Sequence, residues 1–121
     1  MPSEKDTLTA LTQRIRAFAE EREWEPFHTP KNLAMALAAE AAELMEHFLW
    51  CESADSAERL EDPARRERIA EELADIFIYT LRMADVSGLD LAAAAERKIA
   101  RNAEKYPVDK ARGNARKYDE L

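Results

Sequence analysis

Residues 62–88, with the sequence DPARRERIAEELADIFIYTLRMADVSG, decide the fold class of this chain. The Asp-Pro pair that opens the stretch is typical of a helix start, and Gly88 is typical of a helix end. Between these two signals, Ile69, Leu73 and Ile76 place apolar side chains on one face at helical spacing. The stretch therefore predicts one long amphipathic helix whose apolar face packs against other helices.

The remainder of the chain carries the same helical signals. Its 121 residues include only two glycines and five prolines, and no segment shows the alternating β-branched pattern of a strand. We therefore predict an all-α fold, a four-helix bundle with helices at about residues 7–22, 30–50, 63–87 and 91–106. Residues 1–108 would form one folded domain, and residues 109–121 would form a polar C-terminal tail.

Composition and charge exclude several classes of protein. The chain carries 18 Lys and Arg against 25 Asp and Glu, a formal net charge of −7, which argues against binding to DNA duplexes or anionic membranes. Its one cysteine, Cys51, cannot form an intrachain disulfide, and no apolar run approaches the roughly 20 residues of a membrane span. The N-terminus lacks the basic and apolar segments of a signal peptide. We expect a cytoplasmic protein with no nucleic-acid partner and no membrane partner.

Two pairs of acidic residues stand beside the predicted core faces. Glu40 and Glu43 are three residues apart on the second helix, and Glu72 and Asp75 are three apart on the third. At 100° per residue, Glu40 falls inside an apolar stripe, while the other three flank one. Carboxylates that border a bundle interior repel one another and need a compensating charge. All-oxygen ligands would suit Mg²⁺ or Mn²⁺, and the sequence has no Cys or His pattern for zinc.

A second interpretation of the acidic residues needs no metal. Arg65, Arg68 and Arg82 lie one or two turns away on the third helix and could neutralise the carboxylates as salt bridges. Residue chemistry alone leaves the salt bridges and the metal site equally open.

Four blocks of sequence, taken in order, resemble one known family. They are WEPFHTPKNL at residues 24–33, AAEAAELMEHFLW at 38–50, EELADIFIY at 71–79 and KIARNAEKYP at 98–107. The chain resembles the MazG-like, all-α nucleoside triphosphate pyrophosphohydrolases, and most closely their dCTP pyrophosphatase branch. The resemblance implies Mg²⁺-dependent cleavage between the α and β phosphates of a nucleoside triphosphate. It also implies assembly as a dimer or, more in keeping with this branch, as a homotetramer of two dimers.

The resemblance also assigns roles to residues. The metal motif of the family falls on Glu40, Glu43, Glu72 and Asp75, which would hold Mg²⁺, or Mn²⁺, against the triphosphate and act as the catalytic carboxylates. Either Glu43 or Glu72 would accept a proton from the attacking water. Positions near the nucleotide match Trp24, His28, Trp50, Tyr79, Lys98, Asn102, Lys105 and Tyr106. Lys31, together with Lys98 and Lys105, would screen phosphate charge.

Three alternative hypotheses for the function are open at this point. The first is a house-cleaning enzyme that hydrolyses dCTP, or a modified pyrimidine deoxynucleotide, to the monophosphate and pyrophosphate. The second keeps the fold and acts on another substrate, such as dUTP or phosphoribosyl-ATP. The third is a non-catalytic helical adaptor whose acidic residues are ordinary salt-bridged surface.

The sequence also predicts whether several other side chains lie in the core, at the surface or at a contact between subunits. Met35, Met45 and Met83 are predicted to fill the core, because methionine adapts to irregular gaps between helices. His47 is predicted to lie at the surface. Phe48 and Trp50, with the apolar side of the first helix, are predicted to contact another subunit.

Overall fold

The computed structural model describes residues 4–121, with side chains described from residue 7 onward, and is all helical over that range. Its five α-helices are α1 (Glu4–Glu21), α2 (Pro30–Glu46), α3 (Pro63–Val86), α4 (Leu91–Lys105) and α5 (Val108–Ala111). Three short 3-10 segments cover Glu25–Phe27, Ser53–Leu60 and Tyr118–Glu120. The all-α prediction is therefore confirmed.

Local sequence signals set most of the helix ends. Gly88 follows α3 with φ at +66°, a left-handed conformation that stops the helix and that glycine adopts without strain. Three helices begin with a side-chain oxygen that accepts a backbone N–H hydrogen bond, which satisfies a group that the helix itself leaves unpaired. These caps are Thr29 to Asn32 at 3.2 Å, Asp62 to Arg65 at 3.2 Å and Asp90 to Ala93 at 3.0 Å.

The end of α2 differs from the prediction. The helix stops at Glu46 rather than near Trp50, and the residues between them form turns. Trp50 adopts φ of +63°, a left-handed conformation that cannot continue a right-handed helix. The polar segment that connects α2 to α3 contains the 3-10 turn over Ser53–Leu60.

The described residues divide into two compact units, one that ends at Gly88 and one over Leu89–Leu121. In the first unit, α1 and α2 both pack against α3, and the segment Ser53–Leu60 packs against α3 as well. The second unit contains α4, α5 and the last 3-10 segment. One folded domain over residues 1–108 with a polar tail over 109–121 stays a prediction.

Among the side chains that the structure describes, the buried apolar core is small and belongs to the first unit. Its members are Ala19, Leu33, Ile69, Leu81 and Ala84. Met35 and Met45 of α2 are 62% and 66% exposed, so the prediction that they fill the core is wrong, whereas Met83 is half-buried. At 100° per residue, Met35 lies about 200° and Met45 about 120° around α2 from the buried Leu33, so neither is on the side of the helix that Leu33 buries.

No helix within the described part of the chain combines the length and the hydropathy that crossing a membrane requires.

Candidate active site

Three carboxylates meet where α2 packs against α3. Glu40 and Glu43 are one helical turn apart on α2, and Glu72 faces them from α3. One oxygen from each of the three lies within 4.8 Å of the others. We call these three residues the carboxylate cluster. Asp75, one turn after Glu72, is close enough to act electrostatically on Glu40. The four acidic residues singled out in the sequence are therefore neighbours in the fold.

Two oxygens of the carboxylate cluster are buried without a partner. Glu40 and Glu72 are half-buried, and the Oε2 atom of each has no hydrogen-bond partner among the described residues. Glu43 and Asp75 are exposed. A carboxylate oxygen that has lost water without gaining a donor costs free energy, so the cluster requires a proton or a cation.

The pKa values of Glu40 and Glu72 also indicate that the cluster needs a proton or a cation. Burial, followed by the neighbouring Glu43, raises the pKa of Glu40 to about 7, and Asp75 and Glu72 contribute further. Burial and Glu43 also raise the pKa of Glu72. Near neutral pH the cluster therefore shares a proton that a divalent cation would displace.

His47 joins this site, and the prediction that it lies at the surface is wrong. Its Nε2 atom lies 3.6 Å from Oε1 of Glu72, and its side chain is only 14% exposed. The contact opposes the rise in the pKa of Glu72, because a ring N–H beside a carboxylate favours its ionised form. The signal was present in the sequence, since His47 follows Glu43 by four residues and Glu40 by seven and so shares their helix face.

The arginines of α3 do not neutralise the four acidic residues. Arg65 donates to the backbone oxygen of His47 at 3.0 Å, and Arg82 pairs with Asp85 at 3.3 Å. Among the ion pairs of the described residues, none joins Arg65, Arg68 or Arg82 to the carboxylate cluster or to Asp75. The salt-bridge interpretation therefore lacks the contacts that it needs.

A cavity of about 440 Å³ opens beside the acidic residues. Four of the predicted site residues line it, namely Trp24, His28, Asp75 and Tyr79. We call it the aromatic cavity. The ring of Trp24 packs edge-on against the ring of His28, with centroids 6.0 Å apart. Since Asp75 both lines the aromatic cavity and acts on Glu40, the cavity and the carboxylate cluster adjoin one another.

Two other predicted residues of the first unit lie elsewhere. Trp50 is 99% exposed and lines a different cavity of about 420 Å³, together with Cys51 and residues of the segment Ser53–Leu60. Lys31 is exposed on the first turn of α2. Neither of these two cavities in the described part of the chain is lined by both Trp50 and His28.

The remaining predicted residues belong to the second unit. Lys98 and Asn102 are exposed on α4. Lys105 places its Nζ atom 4.8 Å from the centre of the Tyr118 ring, and the rings of Tyr106 and Tyr118 meet edge-on at 6.3 Å. A role for these four residues toward a substrate stays a prediction.

The sequence gives no sign of a hydrogen-bonded network in the wall of the aromatic cavity, which both His28 and Arg82 line. Arg82, only 5% exposed, donates from Nε to Nδ1 of His28 at 3.0 Å and from a terminal nitrogen to Asp85 at 3.3 Å. Asp85 also accepts a hydrogen bond from Nε of Arg16 at 2.9 Å, which lowers the pKa of Asp85. No local signal reveals this network, because Arg82 and His28 are 54 positions apart in the chain.

The fold and the site define an all-α protein in which acidic side chains from two packed helices form a site of the kind that holds divalent cations. The chain belongs to the MazG-like family, whose sequence pattern matches residues 35–121.

Individual relatives agree with this assignment. The chain is 39% identical over 119 residues to dCTP pyrophosphatase 1 of Rattus norvegicus, a match that covers 98% of this chain and 70% of the relative. It is 38% identical, over the same shares of both chains, to dCTP pyrophosphatase 1 of Homo sapiens. The crystal structure of a pyrophosphatase from Archaeoglobus fulgidus superposes with a TM-score of 0.78 at 39% identity, over 84% of this chain and 93% of that one. The predicted family and the predicted enzyme class, a nucleoside triphosphate diphosphatase, are confirmed.

Proposed function

We propose that this chain is a divalent-metal-dependent pyrophosphohydrolase that cleaves dCTP, or a modified pyrimidine deoxynucleotide, to the monophosphate and pyrophosphate. One observation carries the proposal: three carboxylates converge within 4.8 Å, and two of them bury an oxygen that has no partner. The relatives named dCTP pyrophosphatase support the choice of substrate.

The acidic residues fit a magnesium ion. Mg²⁺ prefers oxygen ligands and is commonly bound through carboxylates and substrate phosphates, with Mn²⁺ as an alternative. Glu40, Glu43, Glu72 and Asp75 would hold it. When bound, the ion supplies charge neutralisation for the phosphates and Lewis acidity toward water. A bound ion would give the Oε2 atoms of Glu40 and Glu72 the electrostatic partner that they otherwise lack.

The carboxylates would also accept the proton of the attacking water. Glu43 is exposed and can exchange a proton with solvent directly. Glu72 has a raised pKa, which brings it closer to the pH at which a general base works best. Either residue would accept the proton from the water that attacks the triphosphate.

The aromatic cavity would hold the base and the sugar. Its volume of about 440 Å³ lies in the range of small-molecule sites, about 300–1,000 Å³. Trp24 and Tyr79 offer flat rings against which a base can stack, and His28 offers a hydrogen-bonding group. Trp50 would also contact the base, and the rest of the nucleotide would be bound by Lys31, Lys98, Asn102, Lys105 and Tyr106.

We further propose a homotetramer of two dimers, with a single dimer as the alternative, in the cytoplasm. Large apolar side chains are exposed on the single chain, among them Met35, Met45 and Trp50 at 62%, 66% and 99%. Apolar exposure of this extent on a chain with so small a core favours self-association.

The direct test measures pyrophosphate release from a panel of nucleoside triphosphates, including dCTP, 5-modified dCTP and dUTP, and from phosphoribosyl-ATP, each with Mg²⁺ and with EDTA. We expect Mg²⁺-dependent release, with dCTP or its modified form preferred. The variants Glu40→Gln and Asp75→Asn are expected to abolish release, while Glu67→Gln, an exposed acid elsewhere on α3, retains it.

Other outcomes would correct the proposal. A clear preference for dUTP or phosphoribosyl-ATP keeps the reaction and replaces the substrate. Full release by Glu40→Gln would contradict the assignment of the carboxylates. No release from any compound by folded protein would favour another phosphorylated substrate or the helical adaptor.

A further inference from the structure

We infer that Arg82 is a positioning residue that holds the proton of His28 on Nε2, so that His28 presents a fixed hydrogen-bond donor to the aromatic cavity. The inference rests on the proposed function only where it concerns substrate choice. The state of His28 itself follows from contacts within the chain.

The contact between Arg82 and His28 determines which ring nitrogen carries the proton. Nε of Arg82 lies 3.0 Å from Nδ1 of His28. A guanidinium has hydrogen-bond donors and no acceptor, and it keeps its protons at any pH that proteins tolerate. The nitrogen that faces it must therefore offer a lone pair, which leaves the single proton of a neutral imidazole on Nε2.

Arg82 is itself held in place. It is 5% exposed, so its orientation is restricted by packing, and its terminal nitrogen donates to Oδ2 of Asp85 at 3.3 Å. Asp85 is held in turn by Arg16 of α1. A buried guanidinium that is paired with a carboxylate on one side can direct its remaining donor at His28 without leaving a charge uncompensated.

The charges around His28 favour its neutral form. Burial and the facing Arg82 lower the pKa of His28, and Glu25 of the preceding 3-10 segment opposes them. Arg14 of α1 and Asp75 of α3 also line the aromatic cavity. The edge-on ring of Trp24 adds no charge. A protonated His28 would have to point a second donor at Arg82, which the hydrogen bond excludes.

A fixed donor in the cavity has a consequence for substrate selection. The ring nitrogen N3 of cytosine is an acceptor, whereas N3 of uracil and thymine carries a proton. Because the proton of His28 is fixed on Nε2, this donor can pair with N3 of cytosine. With uracil or thymine, the N–H of His28 and the N3–H of the base would face each other as two donors without an acceptor. Unpaired polar groups in a closed site are a strong source of selectivity. We therefore place Arg82 among the residues that set the choice of base, through His28.

The first test needs no variant of the network and no substrate. Nitrogen-15 NMR of the metal-free protein at about pH 7 reports which imidazole nitrogen is protonated, and His47→Gln assigns the two histidines. We expect Nδ1 of His28 to be unprotonated and Nε2 protonated. A proton on Nδ1, a doubly protonated ring, or the mixed tautomers of a free imidazole would overturn the inference. This result stands even if no nucleotide is hydrolysed.

The second test removes the donor. Arg82→Met is expected to give His28 the mixed tautomers of a free imidazole and to raise KM for dCTP by about 5- to 10-fold, the value of one hydrogen bond, with kcat changed by less than about twofold. The preference for dCTP over dUTP should fall by a similar factor. Arg66→Met is the matched control, because it removes an exposed arginine of α3 outside this network and leaves the bond between Arg82 and His28 in place.

A double-mutant cycle separates positioning from general packing. In a His28→Ala background, Arg82→Met is expected to leave KM and base preference unchanged, since Arg82 acts through His28. An equal loss in both backgrounds would show a structural role and overturn the inference. If Arg82→Met does not fold, the NMR measurement on the unaltered chain decides the question.

Discussion

Replacing Glu40 by glutamine is expected to stabilise the metal-free protein above neutral pH and, at the same time, to weaken its stabilisation by Mg²⁺. Glutamine keeps the shape of the side chain but carries no charge. The buried Oε2 position then no longer places a negative charge beside Glu43 and Glu72. An ordinary structural carboxylate would show a loss of stability on this substitution, so the two effects together are specific to a ligand-binding cluster.

The size of the effect follows from the pKa of Glu40, which burial and Glu43 raise from 4.5 to about 7. A shift of that size corresponds to about 3 kcal/mol, and solvent screening at the exposed Glu43 reduces it to about 1–2 kcal/mol. A carboxyl group with a raised pKa binds its proton more tightly in the folded than in the unfolded chain. Its contribution to stability is therefore full below about pH 4.5 and is lost as the pH rises to about 7.

Urea unfolding in EDTA at one protein concentration measures this contribution. Between about pH 5 and pH 8, the free energy of unfolding of the wild type is expected to fall by about 1–2 kcal/mol more than that of Glu40→Gln. Glu67→Gln, an exposed acid of α3 outside the cluster, should follow the wild type. Mg²⁺ at about one hundred times its Kd should then stabilise the wild type by about 2.7 kcal/mol and Glu40→Gln by much less.

Two results would refute the reasoning. If the free energy of unfolding of Glu40→Gln falls with pH as steeply as that of the wild type, Glu40 does not bear the buried charge. If Mg²⁺ stabilises both proteins equally, the carboxylate cluster is not the cation site.

Three further changes test contacts outside the carboxylate cluster. Asp85→Asn leaves the buried Arg82 without its carboxylate and should lower the free energy of unfolding in urea by about 3 kcal/mol. The control Glu21→Gln removes an exposed ion pair and should lower it by less than about 0.5 kcal/mol. Equal losses for the two variants would contradict the role of burial. Gly88→Ala should cost about 1 kcal/mol by thermal unfolding, since φ is +66° and no atom lies within 4 Å of the added Cβ, so the whole cost is conformational. Thr29→Ala removes the cap of α2 and should cost about 1 kcal/mol, with Thr29→Ser as the variant that restores it; no difference between the two would contradict the capping role.

The sequence by itself determined the four long helices and the identity of the acidic residues, but not α5 or the three 3-10 segments. Caps such as Thr29 and Asp62, and the stop at Gly88, act on backbone groups within four residues, so local sequence is sufficient to place them. The spacing of Glu40 and Glu43 places both on one side of a helix for the same reason. The end of α2 was predicted too late because the left-handed turn at Trp50 leaves no mark in residue type.

Only the tertiary structure decided which side chains meet. The packing of α2 on α3 brings Glu72 to Glu40 and His47 to Glu72. The hydrogen bond between Arg82 and His28 joins residues 54 positions apart, far beyond the reach of any helical period. Periodicity states which face of a helix is apolar, whereas the partner of that face, and the burial that shifts a pKa, depend on how helices distant in sequence pack together.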